Sequence, residues 1–189
     1  MIAVFALTGL VFFLSQYFQN VLGYSPLEAG LRELPLGVAG MLVIAVIGPV
    51  VRRLGVGRAI AAGLLVSAAG LAIVGFSARY GAIAVALVVV GAGVGLALTL
   101  TTDAVVSAVP ADKAGAASAV SETAYELGAA LGIAVLGTVL SAWAATGTFT
   151  EAMQGTALVA AALLAVAAFV AYRLIPGGTP RPAVRATVP

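Results

Sequence analysis

The chain has 189 residues, of which 62% are hydrophobic and only 8% charged. A water-soluble domain needs roughly a quarter of its residues charged, so the solvent of this chain is lipid. The net charge of +2 rests on nine basic residues, too few for a nucleic-acid groove, and cysteine and histidine are both absent. Disulfides, thiolate metal sites and the usual general base are thereby excluded, and neither a cofactor nor a metal is expected.

A transmembrane helix needs about 20 largely apolar residues, and the chain offers six such spans between short polar breaks. The first runs from about Ile2 to Leu22 and carries Gln16, Gln19 and Asn20 toward its end. The second starts at Pro26 and runs to about Val51. Ser25 before it and Glu28 three residues on form a capping-box pattern, with Pro26 at the favoured first helical position. Arg32 and Glu33 stand two turns in, suited either to an ion pair or to a polar pathway. Gly48-Pro49 should bend the backbone near the end of this span.

The third span covers Ala59 to Phe76 and the sixth Ala152 to Leu174; Ser67 and Thr156 are almost their only polar side chains. The fourth, Ala82 to about Val106, ends in Thr99, Thr101, Thr102 and Asp103. The fifth, from about Ala114 to Ala142, carries Ser118, Ser121, Glu122, Tyr125 and Glu126. Polar groups in lipid are costly and turn toward protein or water. The expected architecture is thus a polar interior lined by spans one, two, four and five, with three and six outside. The threonines are expected to bond between helices. The Gly91/Gly95 and Gly128/Gly132 spacings favour close helix packing.

Lys and Arg in short loops set orientation. With the N-terminus inside, Arg52, Arg53, Arg58, Lys113, Arg173, Arg181 and Arg185 are cytoplasmic, and only Arg32 and Arg79 are outside. Both termini are therefore expected in the cytoplasm of a cell with the chain in its plasma (inner) membrane. Residues 1–175 read as one six-helix bundle and 176–189, rich in Pro and Gly, as a disordered tail.

Glu122 and Glu126 are the only charged residues between Lys113 and Glu151. Counted from Lys113 at 1.5 Å per residue, they lie about 13 and 19 Å deep, bracketing the midplane of a hydrocarbon layer about 30 Å thick. Two carboxylates one turn apart repel when both are charged. The pair is expected to hold a proton as a coupled unit and to exchange it for a cation. An intramembrane protease is disfavoured: a serine type lacks its histidine, and Asp103 and Asp112 sit at a helix end and in a loop.

The stretches FFLSQYFQNVLGYSPLEAGLRELP, GPVVRRLGVGR and VPADKAGAASAVSETAYELGAALGIAVLGTVL together resemble the C-terminal part of a major facilitator superfamily transporter. Within it they look like the fourteen-helix drug:proton antiporters of the EmrB/QacA type. The resemblance implies an all-α six-helix half of that fold, exporting hydrophobic or cationic compounds in exchange for protons, with no enzyme activity. It implies that Glu122 and Glu126 handle protons and cations, and that Tyr125, Gln16, Gln19, Asn20 and Arg32 line the substrate cavity. Gly48, Arg53 and Gly55, with Arg58 after them, match part of the cytoplasmic gating motif; Arg52 stands where that motif has aspartate. The other half of the transporter is expected in a longer chain of which this is a fragment, or in a partner chain. The alternative is a membrane fragment that transports nothing.

Overall fold

The computed structural model describes residues 1–175. The proposed disordered tail, with Arg181 and Arg185, lies outside the described residues. The first helix, α1 (Ile2–Gln16), continues into a π-helical turn, Tyr17–Val21. A bent pair follows, α2 (Pro26–Leu42) and α3 (Ile44–Leu54), then α4 (Val56–Phe76) and α5 (Tyr80–Ser107). A 3-10 turn at Ala111–Lys113 leads into α6 (Ala114–Ala144), and α7 is Phe149–Leu174. Five of these helical segments are long and apolar enough to cross a membrane, and α2 with α3 makes a sixth if the bent pair is one span. The all-helical architecture expected from the sequence is met.

Local chemistry sets the helix ends. The Ser25 hydroxyl accepts from the Glu28 backbone N–H at 3.3 Å, and the Glu28 carboxylate accepts from Ser25 N–H at 2.9 Å, the reciprocal capping box. Thr148 and Glu151 repeat it at the start of α7. Gly55 closes α3 at φ +77°, a left-handed conformation that favours glycine, and donates to the Val51 carbonyl at 2.8 Å.

The second span bends by 51°, at Val43 and not at Gly48-Pro49 as expected. Proline has no N–H, and its ring crowds the carbonyl four residues back, here Ala45. The regular ladder gives way just upstream of that carbonyl, where Val46 donates to Val43 at the tighter i−3 spacing.

Helix α4 packs along α5 and α7, α2 rests on α5, and α6 rests on α1. Without a hydrophobic drive between helices in lipid, such contacts depend on close packing. Both glycine pairs serve this. A Cβ on Gly95 would lie 2.7 Å from the Gly40 carbonyl oxygen of α2, and one on Gly128 would lie 2.5 Å from the Met1 carbonyl oxygen. Gly91 and Gly132 meet the Leu36 and Phe5 carbonyl oxygens in the same way.

The core corrects one expectation. Helices α4 and α7 are not an outer layer around a polar interior; they supply much of a core that is apolar, with Leu71, Val74, Met153 and Leu164 fully buried. Being apolar on every face, they pack on several neighbours at once. Among the described residues, the buried polar residues are the two from those helices, Ser67 and Thr156. Each is satisfied by the carbonyl four residues back, Ser67 at 3.0 Å and Thr156 at 2.8 Å. The polar residues of the other spans lie around the bundle's open sides.

Candidate functional site

Three helices, α1, α2 and α6, enclose an open groove of about 460 Å³. Leu7, Thr8, Val11, Phe12 and Ser15 line it from α1, Leu36 from α2 and Ile133 from α6. Its polar groups come from α1 at helical spacing. The Thr8 hydroxyl donates to the Val4 carbonyl at 2.9 Å and lies 3.3 Å from the Ala129 carbonyl of α6. Ser15 accepts from the Gln19 amide at 2.8 Å, which carries the polar track one turn further. Gln16 and Asn20 bond to each other on an adjoining face.

Glu126 and Glu122 precede Ile133 by seven and eleven residues, which at 100° per residue places all three on one face of α6. Both acids are exposed, and among the described residues neither has a basic partner. Between them Tyr125 turns to α5, its hydroxyl 2.7 Å from that of Thr102. Tyr125 also lines a second, apolar cavity of about 740 Å³, walled by Phe5, Leu64, Leu98 and Leu163 among others. The expectation that the threonines bond between helices holds at Thr102, whereas Thr99 and Thr101 bond back within α5 to the Gly95 and Ala97 carbonyls at 2.8 and 2.7 Å.

The level of the acids differs from the count along the sequence. Glycine contacts fix the register of α4 against its neighbours: Gly63 lies against Gly93 and Ala97, and Gly70 against Val90 and Ala86. That antiparallel register brings Thr102 level with Val56, the first residue of α4, and Gly57 meets Ile175 at the end of α7. The Thr102–Tyr125 bond then sets Tyr125 at the same level. Helix α4, 21 residues, is about 31 Å long and matches a hydrocarbon layer of about 30 Å. Glu122 and Glu126 therefore flank the rim of the bundle at the first turn of α4 and do not lie level with its middle. The reason is length: α6 has 31 residues, about 46 Å, and its first turns run beyond the end of α4.

The rim in question is the basic end of the bundle. Arg52 and Arg53 close α3, and Arg58 lies 6.0 Å from the Tyr172 ring centroid. Gly48, Val51, Arg52 and Val56 share a cavity of about 470 Å³ with Leu100 and Asp103 of α5. Asp103 and Arg52 thus border the same cavity, a relation between distant segments that spacing along the chain does not reveal. Arg53 and Arg58 are exposed, and Gly55 is buried at the turn.

Arg32 is at the other end and is not paired with Glu33. Its guanidinium carbon stands 3.7 Å above the Tyr24 ring. Glu33 is half-buried, with Oε1 buried and lacking a hydrogen-bond partner.

Comparison with known proteins agrees with this architecture. The Major Facilitator Superfamily model matches residues 1–188. The multidrug efflux pump LfrA of Mycolicibacterium smegmatis is 39% identical over 183 residues, 88% of this chain and 36% of its own. The multidrug resistance protein Stp of Mycobacterium tuberculosis is 39% identical over 141 residues, 74% of this chain and 26% of its own. The methyl viologen resistance protein SmvA of Salmonella typhimurium is 39% identical over 144 residues, 75% of this chain and 29% of its own. The chain thus spans 26–36% of the length of these relatives. The apolar helical bundle, with five spans or six if the bent pair is one, accords with the family that the matching model describes. The chain belongs to the Major Facilitator Superfamily.

Proposed function

We propose that this chain is the second half of a proton-coupled drug exporter of the fourteen-helix EmrB/QacA type, acting on hydrophobic and cationic compounds in the inner membrane. The observation that carries the reading is the pair Glu122 and Glu126: exposed carboxylates on the groove-facing side of α6, with no basic partner among the described residues. The excess of Lys and Arg puts the basic end in the cytoplasm, together with both termini. The acids then stand at the cytoplasmic mouth, where an arriving organic cation first meets fixed charge.

Proton and cation compete there. Entry of the cation is favoured when the pair is deprotonated, and reprotonation expels it, which is the minimal chemistry of antiport. Thr8, Ser15, Gln16, Gln19 and Asn20 supply the polar wall beyond, and Tyr125 and Arg32 border it at the two ends. Gly48 and Arg53 of α3, Gly55 at the turn and Arg58 of α4 border the cytoplasmic mouth, where the partial match to the gating motif lies. The other half of the transporter, in the same longer chain or a partner chain, walls the groove from the far side, since transporters of this kind bind substrate between repeats. A relative named for methyl viologen resistance supports a cationic substrate, because methyl viologen is an organic dication.

The test uses cells stripped of their main efflux pumps and expressing the complete protein. Extrusion of a lipophilic dication and of a monocation is expected, with Glu122→Gln and Glu126→Gln abolishing export or narrowing it to one class. Normal transport of both cations by both variants would refute the assignment.

A further inference from the structure

Four side chains from four segments converge at the end of the bundle opposite the basic loops. Phe18 comes from the π-helical turn, Tyr24 from the connection before α2, Arg32 from α2, and Tyr80 from the first residue of α5. The Phe18 ring centroid lies 6.3 Å from those of both Tyr24 and Tyr80, tilted by 50° and 57°. Arg32 caps the group, its guanidinium carbon 3.7 Å from the Tyr24 centroid and 5.6 Å from that of Tyr80. Both distances are within the reach of about 6 Å at which an aromatic face attracts a cation. Phe18 is fully buried, whereas Tyr80 is 45% exposed. The result is an aromatic cage with a closed floor, an open mouth and a cation in it.

The choice made by Arg32 is informative. Glu28 lies one turn back and Glu33 is its neighbour, yet the guanidinium takes the rings and donates only to the Glu28 backbone carbonyl, at 3.3 Å. The Glu28 carboxylate is held by Ser25 instead. The capping box engages the Glu28 carboxylate and Glu33, one residue on, points to another face of the helix, so the guanidinium rests on the rings.

We propose that this cage is a binding site for organic cations, of the quaternary ammonium or phosphonium class, with Arg32 as its resident occupant. The proposal rests on the cation-export reading above and places a second cation site at the release end. The quadrupole of a ring attracts a guanidinium and a quaternary cation alike. Arg32 is tethered beside the rings at high effective concentration, so an incoming cation is held weakly and leaves readily, as a release site requires. Removing Arg32 empties the rings and leaves the Glu28 and Glu33 carboxylates nearby, and both changes favour an added cation.

Binding of tetraphenylphosphonium to the complete protein in detergent tests this, in a Glu122→Gln/Glu126→Gln background that silences the other cation site. Arg32→Gln is expected to tighten binding by about three- to tenfold. Adding Tyr24→Leu or Tyr80→Leu should remove the gain, and adding Tyr80→Phe, which keeps the ring, should retain it. The neutral analogue triphenylphosphine oxide should bind the Arg32→Gln protein no more tightly. Unchanged or weaker binding in Arg32→Gln, or a gain that survives Tyr24→Leu, would overturn the cage. Such a failure leaves export through Glu122 and Glu126 standing, because that is read from transport by the protein with both acids intact.

Discussion

Tyr125 and Thr102 form the polar contact that ties α6 to α5, and their level fixes that of the two glutamates. A hydrogen bond of this kind contributes about 0.5–1.5 kcal/mol net. A double-mutant cycle with Tyr125→Phe and Thr102→Val, followed by unfolding in mixed micelles, should give a coupling energy in that range. A coupling near zero would mean the contact does not hold the helices together. The residue types at this site were legible in the sequence, because two acids in an apolar run have few bland explanations. Their depth was not. It depends on which residue of α5 faces Tyr125, and on α6 overrunning α4, and neither is encoded in local spacing. Arg32 shows the same limit. Proximity in sequence offers it Glu28 and Glu33, and only the fold brings Tyr24 and Tyr80 beside it.

Among the helical elements, the glycine pairs and the bend carry the testable physics. Gly132→Leu would drive a side chain into the Phe5 backbone, and Gly95→Leu into that of Gly40. Overpacking of this kind costs about 1–3 kcal/mol or more, so each variant should unfold at lower denaturant than a control at exposed Gly30. Retained stability in both would contradict the packing described. Pro49→Ala restores a backbone donor and relieves the clash with Ala45. The angle between α2 and α3 should therefore fall well below 51°. The chain has no cysteine, so cysteines introduced at Leu34 and Leu54 can carry spin labels, and their separation should lengthen by several ångströms as the pair straightens. Span number and helix ends followed from apolar length and from the Ser25–Glu28 cap. The position of the bend did not, because proline strains the turn before it, and which hydrogen bond yields depends on packing against α5.

For the whole molecule, the unequal burial of the helices has a functional meaning. Helices α4 and α7 hold the core, while α2 and α6 leave wide faces open, and the groove lies between those open faces and α1. The sequence reading of a polar interior assumed that six helices close around their own polar groups. Here the polar groups border an open side, in keeping with a chain that spans only 26–36% of the length of its relatives. The proposed function has Glu122 and Glu126 exchange a proton for an organic cation. It is tested most directly with the complete protein in liposomes, by imposing a pH gradient and following counterflow of tetraphenylphosphonium and protons together. Cation movement driven by the gradient and matched by opposite proton flux is expected, both falling at least tenfold in Glu122→Gln/Glu126→Gln. Gradient-driven exchange that persists at the wild-type rate in that double variant would contradict it.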